Sequence, residues 1–201
     1  MDRTDDVEII ARETAYQGYF RIDRYRLRHR HFDGGMGREH RREVFDRGHA
    51  AALLPYDPVL DQVVLIDQFR IGAYAAGRQP WVTEIIAGII EDGETAEQVA
   101  RRELMEEAGL EPIGALEPVA EFLVSPGCST ETVTVFCGRV DATGAGGIHG
   151  LAHEHEDIKV LAMNFAAAMA RLEAGRIGNS PAIIALQWLA LNREALREKW
   201  K

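Results

Sequence analysis

The first third of the chain reads as strands. Val7 to Arg12 is a short strand-like segment, and Tyr19 to Arg30 sets Tyr, Phe, Ile and Leu against a run of arginines, which predicts a strand with two unlike faces. Asp33-Gly34-Gly35 is a turn signal. Arg42 to Pro55 and Gln62 to Arg70 are apolar runs joined by Tyr56 to Asp61, which has the composition of a hairpin connection, and Trp81 to Ile90 is a further apolar run. Thr95 to Ala108 carries the first helical stripe, with Thr95 placed as N-cap, Gln98 three residues on as in a capping box, and Gly109 as the stop. Strands resume over Leu116 to Val124 and Glu131 to Val140. Asp141 to Asp157 contains several glycines and histidines and has little periodicity, as lids and binding loops do. Ile158 to Met163 predicts a last strand. A helix from Asn164 to Ala174, ended by Gly175, follows, and Ser180-Pro181 opens a final helix to Trp200. The sum is α+β: an N-terminal β region over residues 1–50, then a domain over 51–201 with helices on both sides of a sheet.

Composition narrows this picture. The 201 residues, 46% of them hydrophobic, suit one good core or a main domain with a small appendage. No apolar run approaches the roughly 20 residues that span a bilayer. The polar, acidic N-terminus does not read as a secretory signal. Cys128 and Cys137 make neither a disulfide framework nor a zinc pattern, so a cytoplasmic protein away from the membrane is expected, with both thiols structural. A net charge of −9 argues against duplex nucleic acid as a partner. It still permits a small phosphate-bearing ligand if divalent cations carry the positive charge.

The helix predicted over Thr95 to Ala108 gives that idea a place. At about 100° per residue, Glu103 and Glu107 lie about 40° apart, on the stripe shared by Ala96, Val99 and Ala100. Glu106 flanks the stripe on one side and Leu104 on the other, while Gln98, Arg101 and Met105 point away. Two carboxylates four residues apart repel each other even in water, and burial raises the cost. Arg102 can pair with one of them but cannot cancel the charge of Glu103, Glu106 and Glu107 together. A hard divalent cation with oxygen ligands, shared with a substrate phosphate, can.

The flanking residues fit one pattern. Gly88, five residues, Glu94, seven residues, then Arg102 through Leu110 matches the Nudix signature at every fixed position. The resemblance implies a Nudix α/β/α sandwich, with a mixed sheet and the motif as loop–helix–loop, and a hydrolase that cleaves the diphosphate bridge of a nucleotide-linked substrate. It further implies Glu103 and Glu107 as metal ligands, a backbone contribution from Ala87, Glu106 as a further acid near the metals, and Arg102 orienting the glutamates. Gly88 and Gly109 would permit the tight turns. The metal implied is Mg²⁺, or Mn²⁺, with more than one ion per site.

Beyond the motif, the whole chain resembles the ADP-ribose pyrophosphatase subgroup of that family. The resemblance is carried by Val7 to Thr14, Arg41 to Glu43, Arg47 to Ala50, Pro80-Trp81, Glu84 to Gly88, Ser125 to Gly127, Glu131, Glu154 to Asp157 and Ala185 to Leu189. It implies Tyr19 and Phe20 against an adenine, Arg42, Glu43 and Arg47 contacting ligand from a partner subunit, and Arg70 on phosphate. Ile89 would line the pocket, and Ser125, Pro126, Gly127 and Glu131 would form the ribose side. Glu154 would be the general base, and Glu156 a ligand for an additional metal. Closure of the loop 141–157 would bring Glu154 to the attacking water. Tyr19 stands where many relatives have Phe, and Cys128 where Gly is common. His149, His153 and His155 are left out, because this chemistry takes oxygen ligands. The N-terminal β region has no evident core of its own, which predicts a homodimer with active sites shared across it. Two alternatives stand beside ADP-ribose. One is another nucleoside diphosphate sugar, such as GDP-mannose or ADP-glucose. The other is a catalytically silent sensor, disfavoured because Glu103, Glu106 and Glu107 are all present.

Overall fold

A computed structural model describes residues 4–151, 153 and 155–200. Contacts divide the chain into two units, one running to His49 and taking in Leu123–Thr132, the other formed by Ala50–Phe122 and Val133 onward. Strands β1 (Val7–Gln17), β2 (Arg21–His29) and β3 (His40–Asp46) belong to the first. The second holds β4 (Ala50–Asp57), β5 (Gln62–Phe69), α1 (Ile71–Ala75), β6 (Trp81–Glu84), β7 (Ile86–Ile89) and α2 (Ala96–Ala108). The chain continues through β8 (Glu117–Leu123), β9 (Thr132–Arg139), β10 (Gly147–His149), β11 (Ile158–Asn164), α3 (Phe165–Glu173) and α4 (Ser180–Lys199).

In the second unit, the strands run β10-β11-β5-β4-β9-β8, with β6 on β5 and β7 on β4. β4 and β9 are parallel, whereas β5, β7 and β11 pair antiparallel with their neighbours, so the sheet is mixed. β4 is buried on both faces, which is why it reads as a continuous apolar run rather than an alternation. The period of two then sorts its residues. Ala52, Leu54 and Tyr56 join Val63 and Leu65 of β5 in a core with Phe165 and Ala168 of α3 and Ala185, Leu186 and Leu189 of α4. Ala51 and Leu53 join Val64 and Ile66 in a second core with Val99, Ala100, Leu104 and Ala108 of α2. Helices therefore cover both faces of one sheet, as the periodicity predicts.

Local chemistry sets the element ends. The hairpin between β4 and β5 is closed by the Asp57 carboxylate, which accepts from the N–H groups of Val59 and Leu60 at 2.8 and 2.9 Å and from Ala142 N–H at 2.9 Å. Thr95 and Gln98 form a complete capping box, and Gly109 ends α2 in the left-handed region at φ 64°. α4 starts one residue earlier than expected: Asn179 is its cap, accepting from Ala182 N–H at 3.1 Å, and donates to the Thr83 carbonyl of β6 at 2.7 Å. Asn164 sits at the start of α3 without a side-chain cap bond.

Some boundaries differ from the sequence pattern. The apolar run from Arg42 to Pro55 is two strands, separated by Arg47-Gly48-His49 with Gly48 at φ 80°. Trp81 to Ile90 likewise splits at Ile85 into β6 and β7, each on a different partner. α1 and β10 are too short for periodicity to register. β1 extends to Gln17 rather than ending near Arg12, because pairing with β2 continues through two bulges. Among the described residues no helix is long and apolar enough to cross a membrane.

The first unit is an antiparallel β1-β2-β3 sheet. The arginines of β2 are held in ion pairs: Arg24 with Glu13 of β1 and Glu43 of β3, Arg28 with Glu8 of β1, and Arg26 with Glu39 just before β3. Every residue of β1 is exposed, including Ile9 and Tyr16. The segment 123–132 attaches to β3 through Phe45 N–H to the Cys128 carbonyl at 2.7 Å and Thr130 N–H to the Phe45 carbonyl at 3.1 Å.

Candidate active site

The chemistry begins where β7 turns toward α2. Gly88 lies so close to α2 that a Cβ there would collide with the Glu103 side chain, so any larger residue would have to displace that carboxylate. On α2, Glu107 is 2% exposed, in line with Val99, Ala100, Leu104 and Ala108, while Met105 on the other side is exposed. The inward stripe is therefore real. One Glu107 oxygen accepts the Ala87 N–H at 3.0 Å.

Arg102 does more than pair with one acid. Its guanidinium donates to Glu94 at 3.2 Å, to Glu103 at 2.8 Å and to Glu106 at 3.0 Å. This clamp fixes the carboxylates, while among the described residues Glu107 has no cation in hydrogen-bond contact. Burial raises the Glu103 pKa above the ordinary carboxylate value, against the pull of Arg102 and with the charges of Glu106 and Glu156 adding to the rise. Burial also pushes Glu107 up to about 9; Glu103 and Glu156 raise it further, while the Ala87 N–H and the charge of Arg70 act the other way. Glu156, which accepts from Leu151 N–H at 3.1 Å, thus belongs to the same electrostatic cluster.

Arg70 is held by Glu84 at 2.9 Å. Glu84 was given no separate role by the sequence, and nothing in the primary pattern could have supplied one, because the contact arises from the pairing of β5 with β6. Glu94 was visible as a fixed position of the motif without a stated partner. Ile89 closes β7, opposite Ala50 of β4. Glu154 lies outside the described residues.

Among the described residues, no three acidic, histidine or cysteine side chains converge as a ready-made metal cage. The carboxylates are instead turned to Arg102 and to the Ala87 N–H. The donor set nevertheless suits a hard divalent ion: oxygen donors on one face, a buried carboxyl whose proton a cation would displace, and a glycine-lined approach. Mg²⁺ is commonly held by one or two carboxylates plus water and substrate phosphate, so a closed cage is not required.

The remaining candidate residues lie in the first unit. Tyr19 is 86% exposed, its ring 4.8 Å from that of Phe20, which stacks edge-on with Phe45 at 5.1 Å. The Arg47 guanidinium sits 5.8 Å over the Phe20 ring and pairs with Glu131 at 3.4 Å. Structure thus brings Phe20, Arg47 and the buried Glu131 together around one aromatic centre. Arg42 donates to the Arg41 carbonyl, and Glu43 is taken by Arg24. Ser125, Pro126 and Gly127 open a turn in which the N–H groups of Cys128 and Ser129 donate to the Ser125 carbonyl. Cys128 is exposed, its sulfur 3.4 Å from the Ser125 hydroxyl, and Cys137 is buried; neither forms a disulfide.

Comparison with known proteins agrees with this geometry. The NUDIX domain model matches residues 46–193. The ADP-ribose pyrophosphatase of Escherichia coli (strain K12) is 55% identical over 196 residues, covering 98% of this chain and 93% of that protein. The GDP-mannose pyrophosphatase of Cronobacter sakazakii is 35% identical over 191 residues, covering 92% of this chain and 96% of that protein. A crystal structure of an ADP compounds hydrolase matches in fold with a TM-score of 0.71 at 20% identity, covering 96% of each chain.

Proposed function

The chain belongs to the NUDIX domain family, and on that premise we propose that it hydrolyses ADP-ribose to AMP and ribose 5-phosphate. The observation that carries the substrate is the 55% identity to an ADP-ribose pyrophosphatase across 98% of the chain. In the reaction, water attacks one phosphorus of the diphosphate, the bond from that phosphorus to the bridging oxygen breaks, and the second phosphate leaves with that oxygen. Glu103, Glu107, Glu156 and the Ala87 backbone would hold divalent metal, Mg²⁺ or Mn²⁺ and more than one ion. Such metal supplies charge neutralisation on the diphosphate and a water of lowered pKa.

The chain's own groups have distinct tasks in this reading. Arg102, bound to Glu94, Glu103 and Glu106, keeps those carboxylates oriented. Arg70, steadied by Glu84, presents a cation to a phosphate oxygen. Tyr19 and Phe20 offer aromatic surface to the adenine, and Arg42, Glu43, Arg47, Ile89, Ser125, Pro126, Gly127 and Glu131 complete the substrate contacts. Glu154 takes the proton of the attacking water. The enzyme is assigned to the cytoplasm on its acidic, cysteine-poor composition.

Incubation with ADP-ribose and Mg²⁺ should yield AMP and ribose 5-phosphate in equal amounts. GDP-mannose and ADP-glucose belong in the same assay, since a GDP-mannose pyrophosphatase is 35% identical to this chain. Faster cleavage of GDP-mannose would overturn the substrate assignment and leave the family intact.

The fully exposed β1, with Val7, Ile9, Ile10 and Tyr16 on its surface, supports a second copy as the element that covers it. Light scattering should report twice 22.4 kDa. A fully active species at the monomer mass would remove the shared-site dimer from this account.

A further inference from the structure

We propose that Gln68 is an additional substrate-contacting residue, whose side-chain amide donates a hydrogen bond to an oxygen of the diphosphate. The inference rests on the diphosphatase reading above. Gln68 is only 7% exposed, and among the described residues its Nε2 has no hydrogen-bond partner. Buried amides almost always find an acceptor, and a group left without one calls for a physical explanation.

The position of Gln68 identifies the acceptor. β5 alternates cleanly, with Val63 and Leu65 packed on the α3/α4 side and Val64 and Ile66 on the α2 side. Gln68 continues the second series, so it lies on the face that carries Glu107. Opposite Ile66 on β6 stands Glu84, the residue that holds Arg70, and opposite Gln68 stands Val82. Val160, opposite Ile66 on β11, belongs to the α2 core, as does Ile158, which follows Glu156 by two residues. Gln68 is thus one pleat beyond the apolar core in the direction of Arg70, whose charge reaches Glu107.

An apolar residue would complete this core without stranding a donor. A lysine here would be drawn to the carboxylates of Glu84, Glu107 and Glu156, and a glutamate would repel both them and the substrate. A neutral donor is the group that can meet a phosphate oxygen beside several carboxylates without competing for their metal. Its donation would be made only when substrate is present, which accounts for its lack of a partner among the described residues.

The test uses Gln68→Met, which keeps length and removes the donor, and Gln68→Glu, which keeps shape and replaces the donor by an acceptor. Three quantities are measured against wild type: Tm without metal, Kd for ADP-ribose by calorimetry in EDTA, and kcat and KM with Mg²⁺. The methionine variant should melt at or above the wild-type temperature, since an unmet buried donor has gone. Its Kd should weaken and its kcat/KM fall at least about tenfold, the loss expected when one substrate hydrogen bond is removed. Gln68→Glu should fall further in both, and it decides the matter if Gln68→Met does not fold. Wild-type Kd and kcat/KM in the folded variants would overturn the proposal, whether or not Tm changes. A wild-type enzyme inert toward ADP-ribose would instead strike at the diphosphatase reading itself.

Discussion

Replacing Glu107 by glutamine should reduce Mg²⁺-dependent turnover by on the order of 10³-fold, because bound metal supplies several kcal/mol of transition-state stabilisation and each ~1.4 kcal/mol is a factor of ten. The same change should leave the metal-free fold intact. Glutamine retains an oxygen to accept the Ala87 N–H and fills the same volume in the α2 core. The two effects separate a ligand from a structural residue. Wild-type rates at saturating Mg²⁺ would remove Glu107 from the metal site.

A pH signature accompanies this variant. Burial, then the charges of Glu103 and Glu156, pushes the folded-state pKa of Glu107 to about 9 from an ordinary value of 4.5. Between those values the metal-free folded protein holds a proton that the unfolded chain has released. Its stability therefore falls as pH rises through that window, by up to roughly 1.4 kcal/mol per pH unit, and levels off above the folded pKa. Glutamine has no proton to lose there. Thermal unfolding in EDTA from pH 5 to pH 9 should show a shallower decline for Glu107→Gln than for wild type, and a higher Tm at pH 8. A cation that displaces this proton should bind more tightly as pH rises toward 9.

Replacing Glu154 by glutamine should lower kcat by roughly 10²–10⁴, the contribution of a positioned general base, while the affinities for Mg²⁺ and ADP-ribose stay within about twofold. The neutral isostere keeps shape and loses only basicity. Gly144, Gly146, Gly147 and Gly150 adopt positive φ, a conformation that side chains with a Cβ rarely take. On either side of position 154, β10 pairs with β11 and Glu156 contributes to the charge felt by Glu103 and Glu107. Single-turnover measurements with saturating substrate isolate the chemical step. An unchanged rate there would exclude Glu154 as the base and direct attention to Glu106 or Glu156.

The α2 helix shows how far a one-dimensional pattern reaches. Its cap, its stop and its inward carboxylates follow from residues within one or two turns of each other, because helical periodicity is a local property. The same holds for the alternation that sorts β5 into two faces. The break at Gly48 and the split at Ile85 were not legible, because an apolar run looks the same whether it feeds one strand or two. The reach of Arg102 was only half visible: its contacts to Glu103 and Glu106 lie on the helix, but Glu94 comes from the preceding loop and required the fold of Gly88 against α2.

What the sequence by itself determined is the motif from Gly88 to Leu110, the layering of helices around a sheet, and the concentration of acid on one buried stripe. These are properties of spacing, and spacing survives without coordinates. Only the tertiary structure decided which charges meet which. Arg70 finds Glu84 through strand pairing, Arg47 finds Glu131 and Phe20 within the first unit, and Gln68 is left with an unmet donor on the Glu107 face. The paired residues lie between 14 and 84 positions apart in sequence, and the Gln68 amide has no partner among the described residues. Their interaction depends on distance and burial in three dimensions, which no linear pattern encodes.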